Sequence, residues 1–237
     1  MKEMPNNHFS FKQFTIQQSD CAMKVGTDGV LLGAWAPTDG FKRILDVGTG
    51  TGLIALQLAQ RQPQATIDAV EIDAAAAAQA QENVKASPWA DRVRVVCKDF
   101  RHYDSAEKYD LIVSNPPYFV NALHCPDEQR NTARHTNQLN YELLFGRSAQ
   151  LLAQGGQIAI IIPSEVGPLV VETAWKYGLH PRQKLQLFTK PTKPCRRWML
   201  SFAQGLAPCQ ESSLVIHRPD GSYTDDYQQL TSDFYLY

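Results

Sequence analysis

Apolar and polar positions follow two alternating periods along this chain. Arg43–Val47 (RILDV) is a short apolar run that reads as a buried strand. Residues 51–61 then bring Leu53, Ile54, Leu56, Leu58 and Ala59 to helical spacing, and residues 65–71 return to a strand pattern. Asp73 is placed to cap a helix over Ala74–Lys85, whose five consecutive alanines carry high helix propensity. Residues 92–97 and 110–114 read as further strands. Residues 140–153 read as a helix stopped by Gly155 and Gly156. Residues 157–162 (QIAIII) form an unbroken apolar run, the mark of a strand covered on both faces. Past Pro163 the pattern turns strand-rich at 179–189, 196–203 and 213–218, and residues 224–237 read as helical.

Strand and helix in alternation predict a parallel sheet with helices on both faces. Right-handed crossovers make such an α/β sheet doubly wound. No linker interrupts the pattern, so the 237 residues are expected to form a single domain over 1–237, with a core at 41–237 behind an extension at 1–40. At 43% hydrophobic and 20% charged residues, the composition excludes a wholly disordered chain. The formal net charge of −1 excludes a uniformly basic nucleic-acid binder but leaves room for a local basic face. No apolar run approaches the ~18 residues of a membrane span. Residues 1–10 are polar and lack the apolar stretch of a signal peptide, so a cytoplasmic protein is expected. The five cysteines are odd in number and form no CxxC pair. That argues against a disulfide framework or a zinc site and for reduced, mostly buried thiols.

Residues 46–52 (DVGTGTG) join the first predicted core strand to its helix. Glycines there let the backbone turn tightly and approach a ligand. The spacing is G-x-G-x-G with Leu53 next, which departs from the G-x-G-x-x-G of nicotinamide-binding folds. Glu71 closes the next strand, where a carboxylate can accept both ribose hydroxyls. Asp99 and Phe100 follow the third strand, placed to offer an adenine a hydrogen bond and an apolar edge. Either carboxylate alone fits an N-cap or a solvated turn equally well. Asp46, Gly48, Gly50, Glu71, Asp99 and Phe100 at successive strand ends together point to a nucleoside cofactor.

Asn115-Pro116-Pro117-Tyr118 ends the next strand and is followed by Phe119. It is similar to the [DN]PP[YFW] signature of S-adenosylmethionine-dependent amino-methyltransferases. With the glycine loop, Glu71 and Asp99, it resembles the class I branch of those enzymes. The resemblance implies a Rossmann-like, seven-stranded sheet and S-adenosylmethionine as cofactor. The motif suits attack by a planar amine whose lone pair is delocalised. The Asn115 carboxamide oxygen and the Pro116 carbonyl can each accept one N–H and localise that lone pair. Proline fixes both acceptors and removes competing donors. Tyr118 can stack on a target base, while Pro117 and Phe119 supply apolar walls. Catalysis is then mostly orientation and hydrogen bonding, with no metal required.

Further segments narrow the resemblance. They are Phe11-Lys-Gln-Phe14, the run from Cys21 through Lys24 to Trp35, residues 67–71, the helix ending at Asn83, residues 87–90, and the stretch from Tyr223 to Leu236. Together they resemble the bacterial tRNA1(Val) (adenine-37 N6)-methyltransferases over nearly the whole chain. The resemblance implies methylation of the adenine beside the anticodon of a valine tRNA. It also implies that the extension closes over the cofactor, with Lys24, Thr27 and Asp28 positioned near its methionyl group. Asp28 equally fits a cap on a helix at 29–36, and Lys24 a solvated side chain.

A tRNA substrate requires phosphate contacts. Residues 173–210 contain no Asp or Glu but hold Lys176, Arg182, Lys184, Lys190, Lys193, Arg196 and Arg197. Residues 190–197 (KPTKPCRR) read as a basic turn between strands, a candidate RNA face, though a charge run also fits a solvated surface. Arg130, Arg134 and His135, in a long loop at 121–138, are further candidates for phosphate or base contact. A monomer is expected. Three alternatives stay open: a protein-glutamine methyltransferase, which would need a helical N-terminal domain; a DNA adenine methyltransferase, which would need a recognition domain; and a non-catalytic RNA-binding module.

Overall fold

A computed structural model describes residues 7–19, 24–117 and 140–236. Tyr118, Phe119, Arg130, Arg134 and His135 lie outside the described residues. The extension starts with a small antiparallel pair, β1 (His8–Ser10) and β2 (Thr15–Gln17), followed by helix α1 (Thr27–Trp35). The core then runs β3 (Arg43–Val47), α2 (Leu53–Arg61), β4 (Thr66–Glu71), α3 (Ala74–Lys85), β5 (Val93–Cys97) and β6 (Tyr109–Ser114). It continues with α4 (Tyr141–Leu151), β7 (Leu152–Pro163), α5 (Gly167–Lys176), β8 (Leu179–Phe188), β9 (Cys195–Gln204), β10 (Gln210–Val215) and α6 (Asp225–Thr231).

Eight of these strands form one sheet in the order β10-β8-β9-β7-β6-β3-β4-β5. Strands β5 through β7 are mutually parallel. The order reverses between β3 and β6: β3, β4 and β5 step one way, and β6 and β7 the other. Ligands of such sheets bind beyond the carboxyl ends of the strands near that reversal. Successive residues of a strand point to opposite faces, and here they feed two cores. Ile44, Leu111 and Ala159 face α1, α2 and the extension, whereas Leu45, Ile112 and Ile158 face α4 and α5.

Local chemistry accounts for the helix starts. The Asp73 carboxylate accepts the Ala76 N–H at 2.8 Å and Asn140 accepts that of Leu143 at 2.8 Å, so each caps its helix.

The structure departs from the sequence reading in several places. The sheet has eight strands rather than seven, because β10 adds in parallel to the edge of β8. It is mixed rather than wholly parallel, because β9 lies antiparallel between β7 and β8. Gly155 and Gly156 do not end a helix: α4 stops at Leu151 and β7 begins at the next residue, with both glycines inside it. The helix α5, with Pro168 in its first turn, lies in a stretch to which the sequence pattern assigns no element. The predicted terminal helix is confined to α6. Among the described cysteines none is buried: Cys97 is exposed, and Cys195 and Cys209 are half-buried.

Candidate active site

The glycine loop between β3 and α2 is shaped by three left-handed residues, Gly48 (φ 72°), Gly50 (φ 56°) and Gly52 (φ 84°). Side chains other than glycine rarely adopt that region. The loop is pinned to β4, with Gly48 and Thr49 donating to the Val70 carbonyl at 2.8 and 3.1 Å. A Cβ built on Gly48 or Gly50 would meet nothing within 4 Å, so open space lies over the loop.

Asp46 forms the floor of this loop and is fully buried. Its Oδ2 accepts the Thr49 hydroxyl at 2.6 Å and the Ala55 N–H at 3.1 Å, while Oδ1 has no hydrogen-bond partner. Burial, aided by the nearby Glu71 charge, pushes its pKa up to about 7 against the lowering effect of those two bonds. Glu71 holds the loop from the β4 side. Its Oε2 accepts the Gly50 N–H at 2.9 Å, and its Oε1 accepts the N–H groups of Ile72 and Asp73 at 2.9 and 3.0 Å. A carboxylate offers about four lone-pair sites, so one acceptor position remains, on Oε2. That is fewer acceptor positions than the expected grip on both ribose hydroxyls would use, because the backbone has taken the others.

Asp99 caps a short 3-10 turn, Phe100–His102, and its Oδ2 is gripped by the Arg101 guanidinium. The hydrogen bond from Arg101 holds the carboxyl below its usual range. Phe100 is corrected as an adenine wall: its side chain is 5% exposed and packs in the core with Val47 and Val70. The sequence reading missed Ile72, which stands 57% exposed directly after Glu71 and presents an apolar surface at the same strand end. An isoleucine just after a strand-ending carboxylate was the available signal.

Ser114 fixes the end of β6 by donating its hydroxyl to the Val47 carbonyl at 2.8 Å. Asn115 follows half-buried, Pro116 buried and Pro117 exposed. Because β6 pairs with β3, the motif emerges beside the glycine loop.

The extension is latched onto the same loop by Asn83, a buried α3 residue. Its carboxamide exchanges hydrogen bonds with the backbone of Gln17 at 2.8 Å each and donates to the Thr51 carbonyl at 2.9 Å. Lys24 and Thr27 are exposed on this extension. Asp28 does not cap a helix: α1 begins at Thr27, and its cap residue Gly26 offers no side chain. The Asp28 carboxylate instead pairs with Arg197 at 2.9 Å.

Arg197 lies on β9 opposite Pro163, the last residue of β7. The turn joining β8 to β9 is therefore on the same sheet edge as the glycine loop and Asn115. Of the seven cations in the acid-free window, several are already engaged. Lys176 pairs with Glu142, Lys184 with Glu211, and Arg182 bonds the Gln204 and Gly205 carbonyls. Lys190 reaches the Pro219 carbonyl at 3.3 Å. Lys193 and Arg196 are exposed and make no ion pair among the described residues. Although the turn is distant in sequence from the glycine loop, the Asp28–Arg197 pair joins it to the extension.

The described residues contain no group of three or more metal-ligating side chains, and no helix among them is long and apolar enough to cross a membrane.

The family described as "Methyltransferase small domain" matches residues 21–171. The chain is 50% identical over 235 residues to the "tRNA1(Val) (adenine(37)-N6)-methyltransferase" of Bacteroides thetaiotaomicron, covering 99% of each. It is 47% identical over 232 residues to the protein of the same name from Aeromonas hydrophila, covering 98% of each. Among solved structures, a predicted O-methyltransferase from Agrobacterium tumefaciens shares the fold with a TM-score of 0.69 at 17% identity, over 87% of this chain and 96% of that one.

Proposed function

We propose that this chain, which belongs to the family of tRNA1(Val) (adenine(37)-N6)-methyltransferases, methylates the exocyclic N6 of adenine 37 beside the anticodon of tRNA1(Val). The methyl donor is S-adenosylmethionine, which when bound supplies an electrophilic methyl on a sulfonium. The residues present fit that group: open space over Gly48 and Gly50, an acceptor left on Glu71 and the apolar Ile72 beside it. Glu71 takes a ribose hydroxyl, Asp99 the adenine amine, and Lys24, Thr27 and Asp28 bound the methionyl end.

Asn115 and the Pro116 carbonyl accept the two N6 hydrogens of the target adenine, which turns the nitrogen lone pair toward the methyl group. Tyr118 stacks on the adenine, between Pro117 and Phe119. The amine proton leaves after transfer, so no side chain need act as a strong base. Lys190, Lys193, Arg196 and Arg197, with Arg130, Arg134 and His135, meet the RNA. The protein works in the cytoplasm as a monomer, one domain over 1–237, and needs no metal. The observation that carries this reading is the placement of Asn115-Pro116-Pro117 beside the glycine loop, at the edge where the strand order reverses.

The test is methyl transfer to bulk tRNA from a strain lacking this gene, followed by nucleoside mass spectrometry. N6-methyladenosine confined to tRNA1(Val) supports the reading. Methylation of DNA or of protein glutamine instead of tRNA overturns it.

A further inference from the structure

A cavity of about 430 Å³ opens between the start of α1 and the ends of β8, β9 and β10. That size lies in the range of small-ligand pockets, about 300–1,000 Å³. One wall is a ladder of aromatic rings. Buried Tyr227 stacks on Tyr223 at 4.8 Å, and Tyr223 stacks on His217 at 4.9 Å, each pair within 23° of parallel. His217 is half-buried. The cavity lining also includes apolar Leu187 and Ile216, Arg196, and, on the side shared with the proposed methionyl end of the cofactor, Thr27 and the Asp28–Arg197 pair.

The ladder is held in place by the backbone. Past the end of β10, the Ile216 and His217 N–H groups continue the pairing onto the Phe188 and Thr189 carbonyls at 2.8 and 3.0 Å. His217 and Tyr223 face each other across a short antiparallel bridge, and His217 Nδ1 lies 3.1 Å from the Gly221 carbonyl. The rings therefore sit directly beside the basic turn.

Strand order sets the distance to the reacting centre. His217, two residues past the end of β10, is four strands along the sheet from β6 and Asn115. At about 4.8 Å per strand this is about 19 Å. That is too far for the target adenine and suits another nucleotide of the same RNA. A planar ring stacked on others, beside apolar Leu187 and Ile216 and beside Arg196, which makes no ion pair among the described residues, is the chemistry that holds an unstacked base with its phosphate.

We propose that this cavity is a second nucleotide subsite, in which a single-stranded base of the RNA substrate stacks on His217 while its phosphate meets Arg196. The proposal rests on the RNA-methylating reading above. It adds a contact that holds the substrate without touching the reacting atoms.

The test compares His217→Ser with His217→Phe in tRNA binding by filter assay over a range of salt. His217→Ser is expected to weaken tRNA about 5- to 150-fold, the span of one lost stacking contact. His217→Phe, which also loses the Gly221 contact but keeps a ring, is expected to stay within about threefold of wild type. The slope of log K against log salt is expected to be the same in both, since a stacked ring releases no counterions. Affinity for S-adenosylmethionine, measured in each variant, is expected to match wild type and reports that the fold is intact. Wild-type affinity in His217→Ser, equal loss in His217→Phe, or a shallower salt slope overturns the subsite. Wild-type protein that methylates no tRNA overturns the reading beneath it, whereas methylation with an indifferent His217 overturns the subsite alone.

Discussion

The two halves of the sheet's carboxyl edge are built by different means. On the β3–β4–β5–β6 side, short motifs shape the carboxylates and the loop, while Ser114–Val47 and Asn83–Gln17 fasten the neighbouring segments to it. Asp46 bonds Thr49 and Ala55, and Glu71 bonds Gly50, Ile72 and Asp73. Most of those partners lie within a few residues. On the β7–β9–β8–β10 side, the decisive contacts join distant segments: Arg197 meets Asp28, 169 residues away, and Lys190 reaches Pro219. A ligand half made of local turns is preorganised by its own backbone. A half made of tertiary contacts ties its cations to whatever else they touch.

The largest effect expected is at Asn115. If it accepts an N6 hydrogen only as the lone pair turns toward the methyl group, Asn115→Ala should cut the rate of methyl transfer by roughly 10²–10³. Cofactor affinity should stay within a few fold. Single-turnover assays at saturating S-adenosylmethionine and tRNA measure this. A rate near wild type would reduce the motif to a turn and remove the chemical contrast between the two halves.

Glu71→Ala comes next. It removes both the remaining ribose acceptor and the bond that holds Gly50, so S-adenosylmethionine should bind roughly 30- to 150-fold more weakly, equivalent to roughly 2–3 kcal/mol. Calorimetry with the folded variant reads this directly. Glu71→Gln should weaken S-adenosylmethionine binding as well, since its single oxygen cannot serve both Gly50 and the Ile72 and Asp73 N–H groups and its NH2 then faces a donor. Wild-type affinity in either variant would remove Glu71 from the cofactor site.

Asp46 gives a pH signature to the same half. Its carboxyl is raised from 3.8 to about 7 in the folded protein. Between those values the folded state holds a proton that the unfolded chain has lost. Stability should therefore fall as pH rises from about 4 to about 7, by up to about 1.4 kcal/mol per pH unit from this group. Asp46→Asn should flatten that part of the profile. Denaturant titrations at several pH values check it, and parallel profiles for the two proteins would show that the buried carboxylate does not titrate in this window.

The same contrast explains what was legible in the sequence. The Arg43–Val47 strand, the Ala74–Lys85 helix with its Asp73 cap and the glycine loop matched closely, because propensity, cap and apolar run all agreed there. Helix α5 has a weak sequence signal because GPLVVETAWK opens with glycine and proline and carries β-branched valines, all of low helix propensity. The break after α4 is displaced in the sequence pattern because paired glycines signal a helix stop, whereas here Gly155 and Gly156 continue β7. Phe100 was assigned to a ligand because its position after a strand was visible and the direction of its side chain was not. The engagement of Glu71 by three backbone N–H groups and the pairing of Asp28 with Arg197 have no one-dimensional signature.

The smallest effects should come from two neighbouring arginines, and they divide the halves most finely. Arg196 makes no ion pair among the described residues, whereas Arg197 is bound to Asp28, with the two side chains 30% and 26% exposed. Arg196→Gln should lower the slope of log K against log salt for tRNA by roughly 0.7–0.9, one released counterion, and leave S-adenosylmethionine affinity unchanged. The loss should be similar for cognate and non-cognate tRNA, because phosphate contacts position without reading sequence. Arg197→Gln should touch both ligands. A partly exposed ion pair contributes about 0–1 kcal/mol, so losing its hold on Asp28 should weaken S-adenosylmethionine up to about fivefold, with a smaller change in salt slope. Parallel calorimetry and salt titrations of the two variants decide the matter. Identical behaviour would mean that the Asp28–Arg197 pair does not separate cofactor cover from RNA face, and that the two arginines belong to one continuous phosphate-binding surface.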